Sequence, residues 1–333
     1  MITRTPHGLV TVIGGSGFIG RHVVRELARS GWRIRVAVRR PHLAHEVRTL
    51  GAVGQIHPVQ ANVRHPESLL RACDGSDVVI NLVGILYPSG RQRFAAVHEF
   101  GARAAARTAR TVGAHTFVQF SALGADPESP SQYAATKAAG EVVAREEFPE
   151  TIIIRPSIAF GPEDNFFNRF AALARISPAL PLVGGGHTRF QPVFVGDIAD
   201  AVAVAVRSEE AAGRTYELGG PEVFTFRELM EFVLRATDRR RLLIPVPYPV
   251  ATLMAYFLQW LPRPLLTPDQ VRLLRYDNVV SEAAQREQRT LEGLGVAPHG
   301  MEAIVMEYLE QYRPFGQFTQ PGTEHAEHAE QAE

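Results

Sequence analysis

The chain contains one cysteine and one lysine among its 333 residues, and all the other basic residues among its 35 lysines and arginines are arginines. A single cysteine, Cys73, excludes an intramolecular disulfide and a zinc site built on several thiolates, and it is typical of a reducing compartment. The 35 basic and 35 acidic residues give a formal net charge of zero, so no nucleic-acid surface is predicted. We predict no metal site. No apolar run reaches the roughly 18 residues that a membrane-spanning helix needs.

The first apolar run begins at Leu9, so we expect no signal or transit peptide and a cytoplasmic protein. Leu9–Ile13 reads as a buried parallel strand, and a helical pattern follows from Arg21. The glycines between them are spaced to let a backbone turn approach a pyrophosphate at a helix N-terminus. The predicted cofactor contacts of this turn are Gly14, Ser16, Gly17, Phe18, Ile19 and Gly20.

The second strand, Arg33–Val38, ends at Arg39 and Arg40, where a NAD-binding unit usually carries an acidic residue. A guanidinium fits a 2′-phosphate with paired hydrogen bonds, so NADP(H) is predicted over NAD(H). The alternative is a pair of solvated arginines at a strand end.

Further strands of the predicted sheet end in residues suited to a ligand. Asn62 follows the third strand and is a candidate for an adenine edge, and Leu82, Val83 and Gly84 end the next one. Ser121 follows the strand Thr116–Phe120. Its hydroxyl either polarises a substrate carbonyl or caps the next turn, and the sequence does not separate these two interpretations.

Tyr133 and the lone Lys137 stand four residues apart, which places them on one face of a helix. A neighbouring cation favours the phenolate form, so a lowered tyrosine pKa and an acid/base role are predicted.

In this order the motifs resemble those of the extended and atypical short-chain dehydrogenase/reductases, which include the NAD-dependent epimerase/dehydratase-like proteins. The resemblance covers roughly residues 8–310. It implies an α/β fold, with a doubly wound parallel Rossmann sheet and a smaller C-terminal lobe. It also implies a catalytic Ser121, Tyr133 and Lys137, in which Tyr133 and Lys137 hold the nicotinamide ribose. Pro156 and Ile158 would pass beside the nicotinamide.

The expected cofactor-binding core spans residues 1–160 and is completed by segments near 190–220. The smaller lobe comprises 161–189 and 221–316, and the tail 317–333, rich in Glu, His and Ala, is expected to be disordered. One departure concerns His98, which stands where the family usually has an asparagine that holds a relay water. A histidine can also carry protons, and the alternative to a role in the relay is a histidine that lies at the domain surface.

A narrower resemblance, carried by the segments 118–125, 266–274 and 277–281, is to bacterial relatives of the nicotinamide-binding accessory subunit of respiratory complex I. It implies contacts with peripheral-arm subunits and a peripheral location on the cytoplasmic face of the inner membrane. The apolar segment 250–261 is either a lid over the pocket or a docking element for a partner or the membrane interface. Arg239, Arg240 and Arg241 either meet acidic lipid or lie in a solvated turn.

Two functions therefore compete. The first is a structural NADP(H)-binding subunit of complex I with slow or absent turnover. The second is a free NADP(H)-dependent reductase or epimerase that acts on a quinone-like, isoprenoid or sugar-nucleotide substrate through Ser121, Tyr133 and Lys137.

Overall fold

The computed structural model describes residues 8–261 and 264–314. A seven-stranded sheet forms its centre, and every neighbouring pair of strands in it is parallel. Its strands are β1 (Leu9–Ile13), β2 (Arg33–Val38), β3 (Ile56–Gln60), β4 (Val78–Asn81), β5 (Thr116–Phe120), β6 (Ile152–Pro156) and β11 (Thr215–Leu218). The order across the sheet is β3-β2-β1-β4-β5-β6-β11, so the direction of winding reverses between β1 and β4.

Helices cover both faces of this sheet. On one face α1 (Phe18–Arg29) and α6 (Val195–Ala205) pack on a cluster that contains Val10 and Val12. On the other face α2 (Pro66–Cys73), α3 (Phe100–Thr111) and α4 (Gln132–Glu147) pack on a cluster that contains Ile13. Strands apolar on both sides are what a sheet buried between two helix layers requires. The predicted doubly wound Rossmann fold is confirmed.

The remaining elements form a smaller lobe, whose segments leave the sheet at the carboxyl ends of β6 and β11. Its strands pair in twos: β7 (Ala159–Phe160) with β10 (Val193–Phe194), β8 (Ala179–Val183) with β13 (Leu242–Val246), and β9 (Arg189–Phe190) with β12 (Phe224–Thr225). Its helices are α5 (Phe167–Ile176), α7 (Phe226–Ala236), α8 (Tyr248–Leu258), α9 (Pro268–Leu273), α10 (Glu282–Arg286) and α11 (Met301–Leu309).

A core rich in phenylalanine holds this lobe together. Phe160 and Phe167 are fully buried and meet edge to face, with ring centroids 6.3 Å apart. Edge-to-face pairs of this kind contribute about 0.5–1.5 kcal/mol of stabilisation beyond that of the apolar area they bury. The lobe thereby presents a fixed surface to the carboxyl edge of the sheet, where ligands bind in open α/β folds.

No helix within residues 8–261 and 264–314 is long and apolar enough to cross a membrane. The tail for which disorder was predicted lies outside the described residues.

Candidate functional site

The glycine turn between β1 and α1 has the geometry that the sequence predicts. Gly14 takes φ +84°, a conformation that glycine adopts without strain, and its N–H donates to Ala37 O at 2.9 Å. A Cβ on Gly20 would lie 2.6 Å from Gly14 O, so only glycine lets α1 approach the turn this closely. Within the described residues no side chain caps the start of α1 at Gly17, so its first N–H groups face the turn unpaired. Such a helix start fits a pyrophosphate.

Other predicted contacts of this turn differ in what their side chains do. Ser16 is half-buried, whereas Ile19 packs against the sheet core, so its side chain belongs to the fold. The ring of Phe18 lies against the loop after β7, where a Cβ on Gly161 would come within 3.3 Å of it. Phe18 therefore ties the glycine turn to the smaller lobe.

Arg39 and Arg40 follow β2, the neighbour of β1, at the same carboxyl edge as the glycine turn. Both are exposed, and neither forms an ion pair with any other residue in the described ranges. Asn62, after β3, uses its Oδ1 to accept the Arg64 N–H at 3.1 Å. Its amide NH₂ group is the part of the side chain that remains for a ligand.

The end of β4 is locked against the glycine turn. Leu82 N–H donates to Ile13 O at 2.9 Å, and Asn81 Nδ2 donates to Gln119 Oε1 at 2.9 Å. Asn81 Oδ1 accepts the Val83 N–H at 3.2 Å, which fixes the loop. A Cβ on Gly84 would lie 3.0 Å from Lys137 Nζ, so the absent side chain leaves room for the ammonium.

Ser121 and Lys137 meet at the carboxyl end of β5. Ser121 N–H donates to Ile154 O at 2.7 Å, and Lys137 Nζ donates to Phe120 O at 3.3 Å. Ser121 Oγ is buried and has no hydrogen-bond partner among the described residues. The interpretation of Ser121 as the cap of the next turn is therefore wrong, and its orphaned hydroxyl fits a ligand group.

Tyr133 and Lys137 share one face of α4, but the predicted lowering of the tyrosine pKa is wrong. Lys137 Nζ lies 6.0 Å from the centroid of the Tyr133 ring. Burial raises the pKa of Tyr133 to about 12. Burial also lowers the pKa of Lys137 to about 8, an effect that the carboxylate of Glu141 opposes. Loss of water around both groups outweighs the attraction between a cation and a phenolate.

His98 lies beside Tyr133 in the centre of the site, so the surface interpretation is wrong. It is 2% exposed and stands in the π-helical turn Ala95–Glu99, and its ring meets the Tyr133 ring edge to face at 5.5 Å. Its Nε2 accepts the Ile85 N–H at 3.1 Å, so the neutral ring carries its proton on Nδ1 and donates to Thr136 Oγ1 at 3.0 Å. Burial, together with the Lys137 charge, lowers the pKa of His98 to about 3. With both nitrogens engaged, this histidine holds structure and has no site left for a relay water.

A buried network of charged residues links α4 to the strands β6 and β11. Arg155 donates to Glu141 at 2.8 and 2.7 Å and to Glu217 at 3.3 Å.

The next residues of β6 lead into the site. Pro156 O accepts the Leu123 N–H at 3.1 Å, and Ile158 O accepts the Val193 N–H at 2.9 Å. Both predicted nicotinamide neighbours therefore lie on backbone that is held firmly on two sides.

Two further residues contact the site, and the sequence identified them only as part of a family motif. Asp269 binds the start of α4, and Asn278 binds the loops after β5 and β6. Thr267 and Gln270 form a capping box, which signals a helix start at α9 from local sequence. No local pattern shows that the same helix start faces α4, more than 130 positions earlier.

The apolar segment 250–261 forms most of α8, and its outer face is exposed. Leu253 is 61% exposed and Phe257 73%, and they share a helical stripe with Tyr256. Trp260, in the turn after the helix, is 84% exposed. Tyr256 also lines a cleft of about 260 Å³ beside the start of α4. Other residues that line this cleft are Tyr87, Phe94, Gln132, Pro264, Asp269 and Arg272. The helix thus faces both a cleft and solvent.

Two of the three arginines at positions 239–241 bind backbone carbonyl groups. These residues therefore do not form a purely solvated turn. Arg239 donates to Tyr312 O at 3.1 and 2.9 Å, and Arg241 donates to Ala174 O at 2.8 Å. Arg240 is exposed.

Comparison with known proteins agrees with this site. The model of the NAD dependent epimerase/dehydratase family matches residues 10–219. The mitochondrial protein NADH dehydrogenase (ubiquinone) 1 alpha subcomplex subunit 9 from Arabidopsis thaliana is 34% identical over 92% of this chain and 79% of its own. A ceramide reductase from Caulobacter vibrioides is 35% identical over 73% of this chain and 74% of its own.

Among solved structures, a dTDP-glucose 4,6-dehydratase from Streptomyces venezuelae has a TM-score of 0.67, with 20% identity, over 91% of this chain and 96% of its own. This likeness shows the fold. The resemblance drawn from the sequence motifs is confirmed by these matches. The glycine turn and the orphaned Ser121 hydroxyl fit a nicotinamide dinucleotide, and the chain belongs to the NAD dependent epimerase/dehydratase family.

Proposed function

We propose that this protein binds NADP(H) and serves as an accessory, largely structural subunit of respiratory complex I. The observation that carries the proposal is the similarity, over 92% of the chain, to a mitochondrial NADH dehydrogenase subunit. The site supports retention over turnover, because His98 has both nitrogens engaged and burial raises the pKa of Tyr133 to about 12. A tyrosine with so high a pKa is a poor base at neutral pH.

The cofactor would be held along the carboxyl edge of the sheet. The glycine turn would receive the pyrophosphate, Arg39 and Arg40 the 2′-phosphate, and the Asn62 amide the adenine. Backbone at Leu82, Val83 and Gly84 would pass along it, Tyr133 and Lys137 would hold the nicotinamide ribose, and Pro156 and Ile158 would flank the nicotinamide. When bound, this cofactor supplies hydride chemistry.

The choice of NADP(H) is tested by Arg39→Asp, with Arg33→Asp as a matched control. Arg33 is exposed at the opposite end of β2, so it undergoes the same charge change far from the glycine turn. Arg39→Asp is expected to weaken NADPH binding by about 100-fold in calorimetry, since a charged pair is replaced by repulsion. NADH binding should change less than threefold. Equal weakening of both cofactors would refute the role of Arg39.

We propose that the core and smaller lobe divide near the predicted bounds, with β7 and β10 at the boundary, and that the lobe docks on peripheral-arm subunits at the cytoplasmic face of the inner membrane. The exposed stripe on α8 is the proposed contact, with a partner subunit or with the membrane interface. Native fractionation of solubilised membranes with mass spectrometry tests this: the chain should migrate with the complex. Phe257→Ser should release it, and Ile176→Ser, at an equally exposed site on α5, should not. Migration of the wild-type chain as a small species would exclude the accessory role.

A second candidate function is a free reductase, and the 35% identity to a ceramide reductase favours it. In that function Tyr133 donates a proton to a carbonyl oxygen, Ser121 Oγ hydrogen-bonds that oxygen, and Lys137 holds the ribose. The cleft beside α8, lined by aromatic residues such as Tyr87 and Phe94 and by polar residues such as Gln132 and Arg272, suits an amphiphilic carbonyl compound. A screen of such compounds with NADPH tests this candidate. Turnover that Tyr133→Phe reduces at least 100-fold would establish it, whereas turnover unchanged in that variant would exclude the mechanism.

A further inference from the structure

We propose that Asp269 and Asn278 are positioning residues, which hold the nicotinamide end of the site in register from the smaller lobe. The inference rests on the NADP(H) binding proposed above and extends it to residues without an assigned role. We call residues 267–281 the clamp segment. Each of the three chain segments that carry the nicotinamide end of the site is bound by Asp269 or Asn278.

Asp269 binds the start of the helix that carries Tyr133 and Lys137. Its Oδ1 accepts the Gln132 N–H at 2.8 Å, and its Oδ2 accepts the Tyr133 N–H at 3.0 Å. Its Oδ2 also accepts the Ser131 hydroxyl at 2.8 Å. Three donors at the first turn of α4 thus converge on one carboxylate from another part of the chain.

The Asp269 contact does more than provide hydrogen-bond acceptors for the first turn of α4. The local cap of α4 is weak, since Ser131 Oγ accepts the Ala134 N–H at a long 3.4 Å. A carboxylate at a helix start interacts favourably with the N–H groups and the helix dipole. Because Tyr133 lies in the first turn and Lys137 in the second, any shift of the helix start moves both side chains directly.

Asn278 holds the two loops on the other side of the site. Its Oδ1 accepts the Ser157 hydroxyl at 2.7 Å, in the loop that follows Pro156. Its Nδ2 donates to Leu123 O at 3.2 Å, in the loop that follows Ser121. One amide therefore sets the spacing between the loops after β5 and β6.

The clamp segment is itself anchored in the smaller lobe. Tyr248 OH donates to Leu274 O at 2.9 Å, and Asn278 N–H donates to Arg189 O at 2.8 Å. Asp277 accepts from the backbone N–H and the guanidinium of Arg189, at 2.8 Å each. The smaller lobe thus fixes the position of the clamp segment, and the clamp segment fixes the nicotinamide end of the site.

The single lysine provides a direct measurement of this positioning. After labelling with ¹⁵N-lysine, the Nζ resonance reports the titration of Lys137 alone. The ionisable groups around it are Tyr133 and Glu141 of the same helix and His98 from the facing turn. Burial lowers the pKa of Lys137 to about 8, so a displaced helix start that admits water would raise it.

The test compares Asp269→Asn with Glu228→Gln. Glu228 caps α7 in the smaller lobe by accepting from Thr225 N–H at 2.6 Å, so its loss also weakens a helix start, but away from the site. Asp269→Asn is expected to raise the NADPH dissociation constant about tenfold, equivalent to roughly 1.4 kcal/mol. It should also raise the Lys137 titration midpoint by at least half a pH unit. Glu228→Gln should change neither.

Lysine titration and cofactor affinity separate the two proposals. If the wild-type protein does not bind NADPH, the proposed function fails, while the lysine midpoint still decides whether Asp269 positions α4. An unchanged midpoint in Asp269→Asn overturns the inference. Lower thermal stability with unchanged midpoint and unchanged affinity also overturns it, since Asp269 would then stabilise the fold alone.

Discussion

Replacing Lys137 by methionine is expected to stabilise the cofactor-free protein at neutral pH, although it removes a proposed ribose ligand. Lys137 is 7% exposed, and burial lowers the pKa of its ammonium group from 10.5 to about 8. That difference of about 2.5 corresponds to a cost of roughly 3 kcal/mol for the charged form in the folded state. Phe120 O keeps the Gln119 Nε2 donor at 2.9 Å, so the substitution leaves that carbonyl paired.

The sign of the pH dependence follows from the lowered pKa. Because the folded-state pKa lies below the unfolded value, the cost is present in full below about pH 8 and disappears above about pH 10.5. The stability gap between the variant and the wild type should therefore be roughly 3 kcal/mol at pH 7 and roughly 1.5 kcal/mol at pH 9.5.

Urea unfolding of both proteins without cofactor, at pH 7 and pH 9.5, measures this gap. Gln132→Met serves as the control, since it introduces the same side chain at an exposed position of α4 that carries no charge. Its stability difference from the wild type should be equal at the two pH values. A Lys137→Met variant that is less stable than the wild type at pH 7, or a gap that does not narrow with pH, would refute the reasoning.

Three further outcomes are expected. Gly20→Ala should raise the NADPH dissociation constant at least 100-fold in calorimetry, since its Cβ would lie 2.6 Å from backbone of the same turn; affinity within threefold of wild type would contradict this. Arg155→Met should lower the free energy of unfolding by about 3 kcal/mol in urea, because it removes the guanidinium that forms ion pairs with the buried carboxylates of Glu141 and Glu217. Adding Glu141→Gln and Glu217→Gln should restore most of that loss. Cys73, whose pKa burial raises to about 12, should react with a thiol reagent at pH 8 only after unfolding, and rapid reaction of the native protein would show that the helix α2 opens readily.

Sequence reasoning succeeded where the signal was local. The run Leu9–Ile13 and the following glycines form a strand and a tight turn at the predicted positions, since a turn is specified by the residues within it. Thr116–Phe120 is likewise a strand with the predicted bounds, and Ser121 follows it at the carboxyl edge. The sheet order then brings these turns together without further information, because parallel strands end at one edge.

Sequence reasoning failed where burial or a distant contact decides the chemistry. The spacing of Tyr133 and Lys137 gave the correct helix face, but the loss of water around the tyrosine reversed the predicted direction of its pKa. His98 looked like a surface residue because nothing nearby in the sequence shows that α4 covers it. The Asp269 contacts were missed for the same reason, since they join positions 136 to 138 residues apart.

That sequence separation has a consequence for how the protein is made. A chain emerging from the ribosome completes α4 long before Asp269 exists, because 138 residues separate Ser131 from the carboxylate that binds it. At a synthesis rate of about 5–20 residues per second, the interval is roughly 7–28 s. The Rossmann strands β1–β6 are all synthesised well before Asp269, while the start of the Tyr133 helix still lacks that carboxylate and has only its weak Ser131 cap. A nascent chain therefore completes the glycine turn and the strands β1–β6 before the start of the Tyr133 helix is fully bound, so the nicotinamide end of the site matures later than the pyrophosphate end.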